Sequence, residues 1–139
     1  MNVDARGLRV VGRLVTRALA NQMFLVDAVY LYMVKNERLR DVADRIGISV
    51  HWIRHEVYTI ISLAGSYVYA ARVVEMVYDK VRKIEPIVDP LDTDTRFKWV
   101  NAVCRICNEH LSYASARAHI DRRHRDIVAT HVARIVMAL

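Results

Sequence analysis

The segment CRICNEHLSYASARAHIDRRH, residues 104–124, carries the pattern from which the fold can be worked outward. Two residues separate Cys104 from Cys107, eleven separate Cys107 from His119, and four separate His119 from His124. Thiolate and imidazole are preferred ligands of Zn²⁺, and four of them complete a tetrahedral site. A C-x2-C pair suits a tight turn, and two histidines at this spacing lie on one side of a helix. The pattern predicts one structural zinc ion held by these four side chains.

Two other assignments remain open. His110 or His131 could replace His124 as the fourth ligand, or the cysteines and histidines could be ordinary core and surface residues. The chain has only two cysteines, and both fall at ligand spacing, which favours the metal site. Leu111 is the predicted apolar anchor of the small module, with Ile106 and Ile120 adding contacts.

Residues 103–125 resemble the two-cysteine, two-histidine zinc finger family. The central gap is one residue short, and small Ala116 stands where the family has a bulky residue. The resemblance implies a ββα module. At the three helix positions that meet bases in that family, this chain has side chains too short for forked base contacts: Ser112, Ser115 and Ala118. Nearby arginines could contact phosphate without sequence choice, and they are Arg105, Arg117, Arg122, Arg123 and Arg125. A module that serves only structure and protein contacts is the equal alternative.

Length and composition set the class of protein. A chain of 139 residues holds one ordinary domain, or a small domain and a metal-stapled module. It is 54% hydrophobic with only four glycines and two prolines, which predicts a folded, mainly helical protein. The longest uncharged run, fifteen residues, is too short to cross a membrane. Because we expect reduced cysteines and see no targeting segment, we expect a cytoplasmic protein with no membrane partner.

The charge balance predicts an anionic partner. The formal net charge is +6, with 21 lysines and arginines against 15 acids. Arginine makes forked contacts to phosphate, and nucleic acid is the commonest partner of a basic surface. The alternative is a solvated surface that serves solubility.

The first helix is predicted from Asp4 to about Ala20. One of its faces is apolar, and the other carries a cationic stripe with no acid interleaved, made of Arg6, Arg9, Arg13 and Arg17. Like charges on neighbouring turns destabilise a helix slightly, and a bound anion would remove that cost. Phosphate contact and a merely solvated face are both open.

Residues 39–57 predict two short helices joined by a tight turn. Gly47 suits the left-handed conformation that ends the first helix, and Ser49 can cap the second. The run resembles the helix-turn-helix family, with small Ala43 four residues before the turn glycine. Residues 22–62 fit a three-helix version. The departure is Glu56, in a slot that is often apolar.

The second of these helices is the predicted recognition helix. A major groove admits one helix, and side chains near its N-terminus reach base edges. We therefore expect contacts to double-stranded DNA from Ser49, Val50, His51, Arg54 and His55. Contacts to phosphates are expected from Arg38, Arg40 and Arg45. The alternative is an ordinary helical hairpin whose polar residues face water.

A long helix is predicted from Ser66 to Ile84. Its apolar residues follow a heptad seam of Ala70, Val74, Val77, Val81 and Ile84. The seam could pair with a second subunit, as in many helix-turn-helix homodimers, or pack on the first helix of the same chain. A strand of a winged variant over residues 67–70 is the less favoured alternative.

The remaining segments complete the expected organisation. Residues 86–96 contain both prolines and several acids, which predicts an acidic linker between a helical domain, residues 1–85, and a zinc module, residues 97–139. Residues 97–100 are expected to form a strand leading into the first cysteine. After the ligands, the helix is expected to continue to the end of the chain.

The expected fold is mainly α, with an N-terminal multi-helix helix-turn-helix domain and a small C-terminal ββα-like zinc finger whose helix is extended. The expected function is DNA binding, in transcriptional regulation. The alternative is a zinc-stapled interaction or assembly protein. An enzyme is not expected, because no phosphate loop, nucleophile motif or small-molecule substrate site is visible. The combination is loosely similar to small regulators of archaea and their viruses.

Overall fold

The computed structural model describes residues 3–94 and 98–139. Within them the chain forms five helices, a small antiparallel sheet, and two further helices, which confirms the predicted mainly helical fold. The helices are α1 (Ala5–Leu19), α2 (Met23–Met33), α3 (Leu39–Ile46), α4 (Val50–Ala64), α5 (Tyr67–Val81), α6 (Tyr113–Arg123) and α7 (Arg125–Met137). The strands are β1 (Val88–Pro90), β2 (Asn101–Cys104) and β3 (His110–Ser112).

Helix α1 is the centre of the fold. Asp4 caps it as predicted, because its side chain accepts a hydrogen bond from the Gly7 N–H at 2.9 Å. The helix contacts α2, α4, α5, α6 and α7. Val10, Leu14 and Val15 are fully buried, so the apolar face of α1 is the shared core of the whole chain.

Helices α2, α3 and α4 each pack against the other two. Gly47 ends α3 with φ at 82°, the left-handed conformation predicted for it. Ser49 then caps α4 by accepting a hydrogen bond from the His51 N–H at 3.0 Å. Val42 and Ile53 are fully buried, and Ala43 is nearly so, so apolar contacts hold the two helices at a fixed angle.

The heptad seam is buried inside the chain. Ala70, Val74, Val77 and Val81 are each 0% exposed, and α5 packs against α1, α2 and α4. Of the two predicted outcomes, packing within the same chain is the one found. A homodimer would therefore have to use another surface.

The sheet begins inside the segment predicted as a linker. Val88 of β1 pairs with Cys104 of β2, and β3 completes the order β1-β2-β3. The strand predicted over residues 97–100 is displaced, since β2 begins at Asn101; Phe97 lies outside the described residues. The Ile87 N–H donates to the Leu19 carbonyl at 2.9 Å, which ties the sheet to the end of α1.

Trp99 makes the second tie between the sheet and the helices. It is 2% exposed, and its indole Nε1 donates to the Asn21 carbonyl at 3.0 Å. Asn21 lies at the corner between α1 and α2 with a positive φ of 60°. The buried ring and its satisfied N–H hold this corner against the C-terminal part of the chain.

The C-terminal helix is interrupted where continuity was predicted. At His124 the backbone turns to φ −128° and ψ 37°, which separates α6 from α7. Helix α7 then packs against α1 and α5. Among the described residues, no single helix has the length and apolarity needed to cross a membrane; only the pair α4 and α5 has them jointly, and the two are bent by 101°.

Candidate metal centre and basic helix face

The four predicted ligands meet at one point of the structure. The ligand atoms of Cys104, Cys107, His119 and His124 all lie within 4.8 Å of one another. The Sγ of Cys104 is 3.4 Å from Nε2 of His124, and the Sγ of Cys107 is 3.4 Å from Nε2 of His119. His110 and His131, the two alternative ligands, do not belong to this cluster of described residues.

The distances fit a tetrahedral site. With metal–sulfur bonds of about 2.3 Å and metal–nitrogen bonds of about 2.0 Å, a sulfur and a nitrogen at adjacent corners lie about 3.5 Å apart. The observed 3.4 Å separations are close to that value. The four side chains could therefore hold one metal ion without rearrangement of the backbone.

Local structure places each ligand. Cys104 ends β2, and the turn to Cys107 is closed because the Asn108 N–H donates to the Cys104 carbonyl at 2.8 Å. His119 lies on α6, and His124 sits at the break after it. The break therefore has a local function, since it directs the second imidazole toward the cluster.

Glu109 supports one of the imidazoles. Its Oε2 is 2.7 Å from Nδ1 of His119, although the contact lacks the alignment of a hydrogen bond. A carboxylate behind a ligating histidine fixes the ring and its tautomer. Burial lowers the pKa of His119 although the Glu109 charge opposes this, so the ring is neutral, as a metal ligand must be. Sequence reasoning missed Glu109; the signal was an acid two residues after the second cysteine.

The apolar interior of the module joins the main core. Leu111 and Ile120 are buried as predicted, whereas Ile106 is 53% exposed and contributes little. Ala116 is fully buried, and its helix α6 packs against α1, where a larger residue would need space. Ser112 and Ser115 form a capping box at the start of α6, so both of these short side chains serve the helix end.

The outward face of α4 is accessible. His51, Arg54 and His55 are exposed, and within the described ranges Arg54 has no acidic partner. Ser49 is occupied by its capping hydrogen bond, and Val50 is half-buried against the core. The structure thus brings three of the five predicted base-contacting side chains onto one open surface.

The three arginines predicted to contact phosphate around α3 are also on the surface. Arg38 pairs with Asp41 at 3.2 Å, and Arg45 pairs with Glu37. Arg40 is exposed. Exposed pairs of this kind contribute little to stability, so the guanidiniums are easily recruited by another anion.

The arginine stripe on α1 divides into two halves. Arg6 and Arg9 are exposed, and Arg6 lies 3.6 Å from Asp4. Arg13 and Arg17 instead turn inward to Glu56 of α4, with nitrogen–oxygen distances of 2.8 and 2.7 Å. Along α1 the arginine stripe contains no acid, as predicted. In the folded protein, however, Glu56 of α4 lies against two of its four arginines.

Glu56 is a buried anion with two cationic partners. Its side chain is 1% exposed. Burial alone would raise the pKa of Glu56, but hydrogen bonds from Arg13 and the charge of Arg17 outweigh it and lower the pKa to about 2. The carboxylate is ionised at neutral pH, and its two arginine partners explain how an acid can occupy this buried position of α4.

The C-terminal arginines have different environments. Arg105 pairs with Asp89 at 2.6 Å, and Arg122 donates from Nε to the Ala118 carbonyl at 3.3 Å. Arg123 and Arg125 are exposed. Arg117 is half-buried on α6 and faces α4, which sequence reasoning did not predict.

The described residues define a class: a small, mainly helical protein with a three-stranded antiparallel sheet and one two-cysteine, two-histidine cluster that could hold a metal ion. No protein-family model, curated protein or solved structure matches the chain. The assignment of function therefore depends on the site geometry.

Proposed function

We propose that this protein binds double-stranded DNA with helix α4 and acts as a regulator of transcription, and that the two-cysteine, two-histidine cluster holds one structural Zn²⁺. One observation carries the DNA proposal: His51, Arg54 and His55 form an open polar face, with the positive charge of Arg54, on the first turns of a helix fixed from behind by α2 and α3. The protein resembles a helix-turn-helix module in its turn glycine and capped second helix.

The chemistry of the α4 face suits a major groove. Arg54 can donate two hydrogen bonds to the O6 and N7 atoms of guanine, and a histidine can donate or accept at a base edge. Arg38, Arg40 and Arg45 would contact phosphates and fix the register on the duplex. These contacts make the affinity fall as salt concentration rises.

Zinc is the metal that the ligands favour. Two thiolates and two imidazoles in a tetrahedral arrangement are typical of structural zinc sites, and four protein ligands leave no position for a reactive water. In this proposal zinc stabilises the C-terminal module. We place the protein in a reducing compartment such as the cytoplasm, where the thiols stay available.

Selection of bound duplexes from a random pool tests the DNA proposal. We expect enrichment of a defined sequence, and a two-fold symmetric site if the protein binds as a homodimer. Arg54→Ala combined with His55→Ala should abolish the preference between the selected duplex and a scrambled one. Arg72→Ala, which removes an exposed arginine of α5, is the matched control. Absence of binding by the native protein at low salt would refute the proposal.

An interaction or assembly protein is the second candidate. It is favoured by large apolar side chains that stay exposed, namely Tyr58 at 63% and Val68 at 69%. Under this alternative, Tyr58→Ser with Val68→Ser would abolish self-association measured by analytical ultracentrifugation, while the Arg54 and His55 variants would leave it unchanged.

A further inference from the structure

A cleft lies between α1, α4 and α6, where the helical core meets the C-terminal module. It encloses about 370 Å³ and is lined by Arg13, Arg17, His51, Trp52, His55 and Arg117, with Tyr113 and Ala114 completing the wall. The volume is at the lower end of the range for small-ligand pockets. The side chains come from three elements that are distant in the sequence.

The cleft has more positively charged side chains than carboxylates that could neutralise them. Arg13 and Arg17 share the single carboxylate of Glu56. Arg117 is 4.0 Å from Asp121, which is too long for a hydrogen bond. Burial lowers the pKa of Arg117, and the charges of Arg13 and Arg17 add to this effect, so the three guanidiniums are close enough to repel one another.

Nitrogens that make no hydrogen bond within the described residues remain on two of these guanidiniums, those of Arg13 and Arg117. An arginine has five N–H donors. Within the described residues, Arg13 commits Nε and Nη2 to Glu56 and leaves Nη1 uncommitted. Arg17 commits Nε and Nη2 to Glu56 and Nη1 to Gln22. Glu56 therefore fixes the orientation of the arginines without using all their donors. A rigid group of guanidiniums that converge on one small space is the arrangement that recognises a phosphate oxyanion.

We propose that this cleft binds one phosphate group, from either the DNA backbone or a free phosphomonoester. Arg117 is the residue of the C-terminal module that completes the site, while Arg13 supplies free donors from α1 and Arg17 adds positive charge. Trp52 borders the same space, so its indole N–H lies where it can report on a bound phosphate. Phosphate binding in the cleft does not depend on the proposed function. Only the assignment of that phosphate to the DNA backbone rests on the proposed function.

The test uses the full-length, zinc-loaded protein and inorganic phosphate at constant ionic strength. The two indole N–H signals in a nitrogen–proton NMR spectrum report the outcome. The signal of Trp52 should shift and saturate, whereas that of Trp99, buried and bonded to the Asn21 carbonyl, should not. Chloride at equal ionic strength is the control for simple screening.

Arg117→Gln is the decisive variant, because it leaves the buried Glu56 contacts intact. Loss of a charged hydrogen-bond partner should weaken phosphate binding about tenfold. Arg72→Gln, which makes the same charge change on the outer surface of α5, should leave the affinity unchanged. The proposal would be overturned if the Trp52 signal of the native protein did not shift with phosphate. It would also be overturned if Arg117→Gln and Arg72→Gln bound phosphate with equal affinity.

A third arm identifies the source of the phosphate with a random-sequence duplex. If Arg117→Gln weakens duplex binding by a similar factor relative to Arg72→Gln, the cleft takes a backbone phosphate. If duplex binding is unchanged while phosphate binding falls, the ligand is a free phosphomonoester. If the native protein binds phosphate but no duplex, the cleft stands and the proposed DNA function fails.

Discussion

Arg17 of α1 donates a 2.7 Å hydrogen bond to Glu56 of α4, in a place where both side chains are almost fully removed from water. Arg13 donates to the same carboxylate, at 2.8 and 2.9 Å. Arg17 also donates to Gln22, whose amide donates in turn to the Tyr113 carbonyl at 3.0 Å. This network joins the central helix, the proposed recognition helix and the C-terminal module.

Replacing Glu56 should therefore destabilise the whole chain. Glu56→Ala leaves two buried guanidiniums without their carboxylate, and breaking a buried ion pair in this way costs about 3–5 kcal/mol. We expect a loss of that size in the free energy of unfolding measured by urea denaturation. Glu75→Ala on the exposed face of α5 should change it by less than about 0.5 kcal/mol. A similar effect of both substitutions would contradict the importance of the network.

The same carboxylate should make stability depend on pH in acid. Its pKa is about 2 in the folded protein against an ordinary 4.5, so the folded state favours the ionised form. The contribution is fully present above pH 4.5 and is lost as the pH falls toward 2. By linkage, this contribution of Glu56 to the free energy of unfolding is on the order of 3 kcal/mol.

Glu56→Gln provides the comparison for this pH dependence, because glutamine has nearly the same side-chain shape as glutamate but no titratable group. Urea denaturation at pH values from 5 to 2 should show a smaller loss of stability in the variant than in the native protein, by roughly that amount. Exposed acids with lowered pKa values, such as Asp89 and Asp92, are common to both proteins and cancel. Parallel pH profiles would show that Glu56 is not the responsible group.

Sequence reasoning succeeded where the signal was local. Gly47, Ser49 and Asp4 act within one helical turn, and the four cysteines and histidines have a spacing that limits their arrangement. The DNA contacts of the α4 face stay predictions.

The features that were missed depend on contacts between distant residues. Glu56 lies 39 residues from Arg17, so nothing in the spacing of the arginine stripe reveals their pairing. Strand β1 has three residues and forms only because β2 lies beside it. The break at His124 coincides with the ligand cluster, whereas the apolar periodicity on both sides predicts one continuous helix.

Metal content gives the third prediction. Purified protein should contain one zinc ion per chain by mass spectrometry of the native protein, and a chelator should loosen the C-terminal module. Glu109→Gln should weaken zinc binding about 10- to 100-fold, because the carboxylate orients His119. Asp79→Asn, an exposed acid of α5, is the matched control. A zinc content near zero per chain, together with folding that a chelator does not change, would refute the proposed metal centre.

Two glycines should respond to alanine with opposite signs. Gly47 has a φ of 82°, and an added Cβ would lie 3.2 Å from the Lys98 Nζ, so Gly47→Ala is strained by its backbone conformation alone. Gly12 lies inside α1, and an added Cβ there meets nothing within 4 Å. Alanine has a higher helix propensity than glycine, so Gly12→Ala should raise the free energy of unfolding by about 0.5–1 kcal/mol. Gly47→Ala should lower the free energy of unfolding by about 1 kcal/mol, because the left-handed conformation costs a residue with a Cβ roughly 1–2 kcal/mol.

The pair of glycine variants also separates stability from recognition. Gly47 sets the angle between α3 and α4, so its substitution should weaken binding of a selected duplex beyond the loss of folded protein. Gly12→Ala should leave binding unchanged, because that glycine lies outside the α4 face. Thermal unfolding and fluorescence anisotropy on the two variants provide both measurements. If Gly47→Ala lowered stability while duplex affinity per folded molecule stayed native, the turn would be a structural corner only, and the orientation of α4 would not matter for DNA.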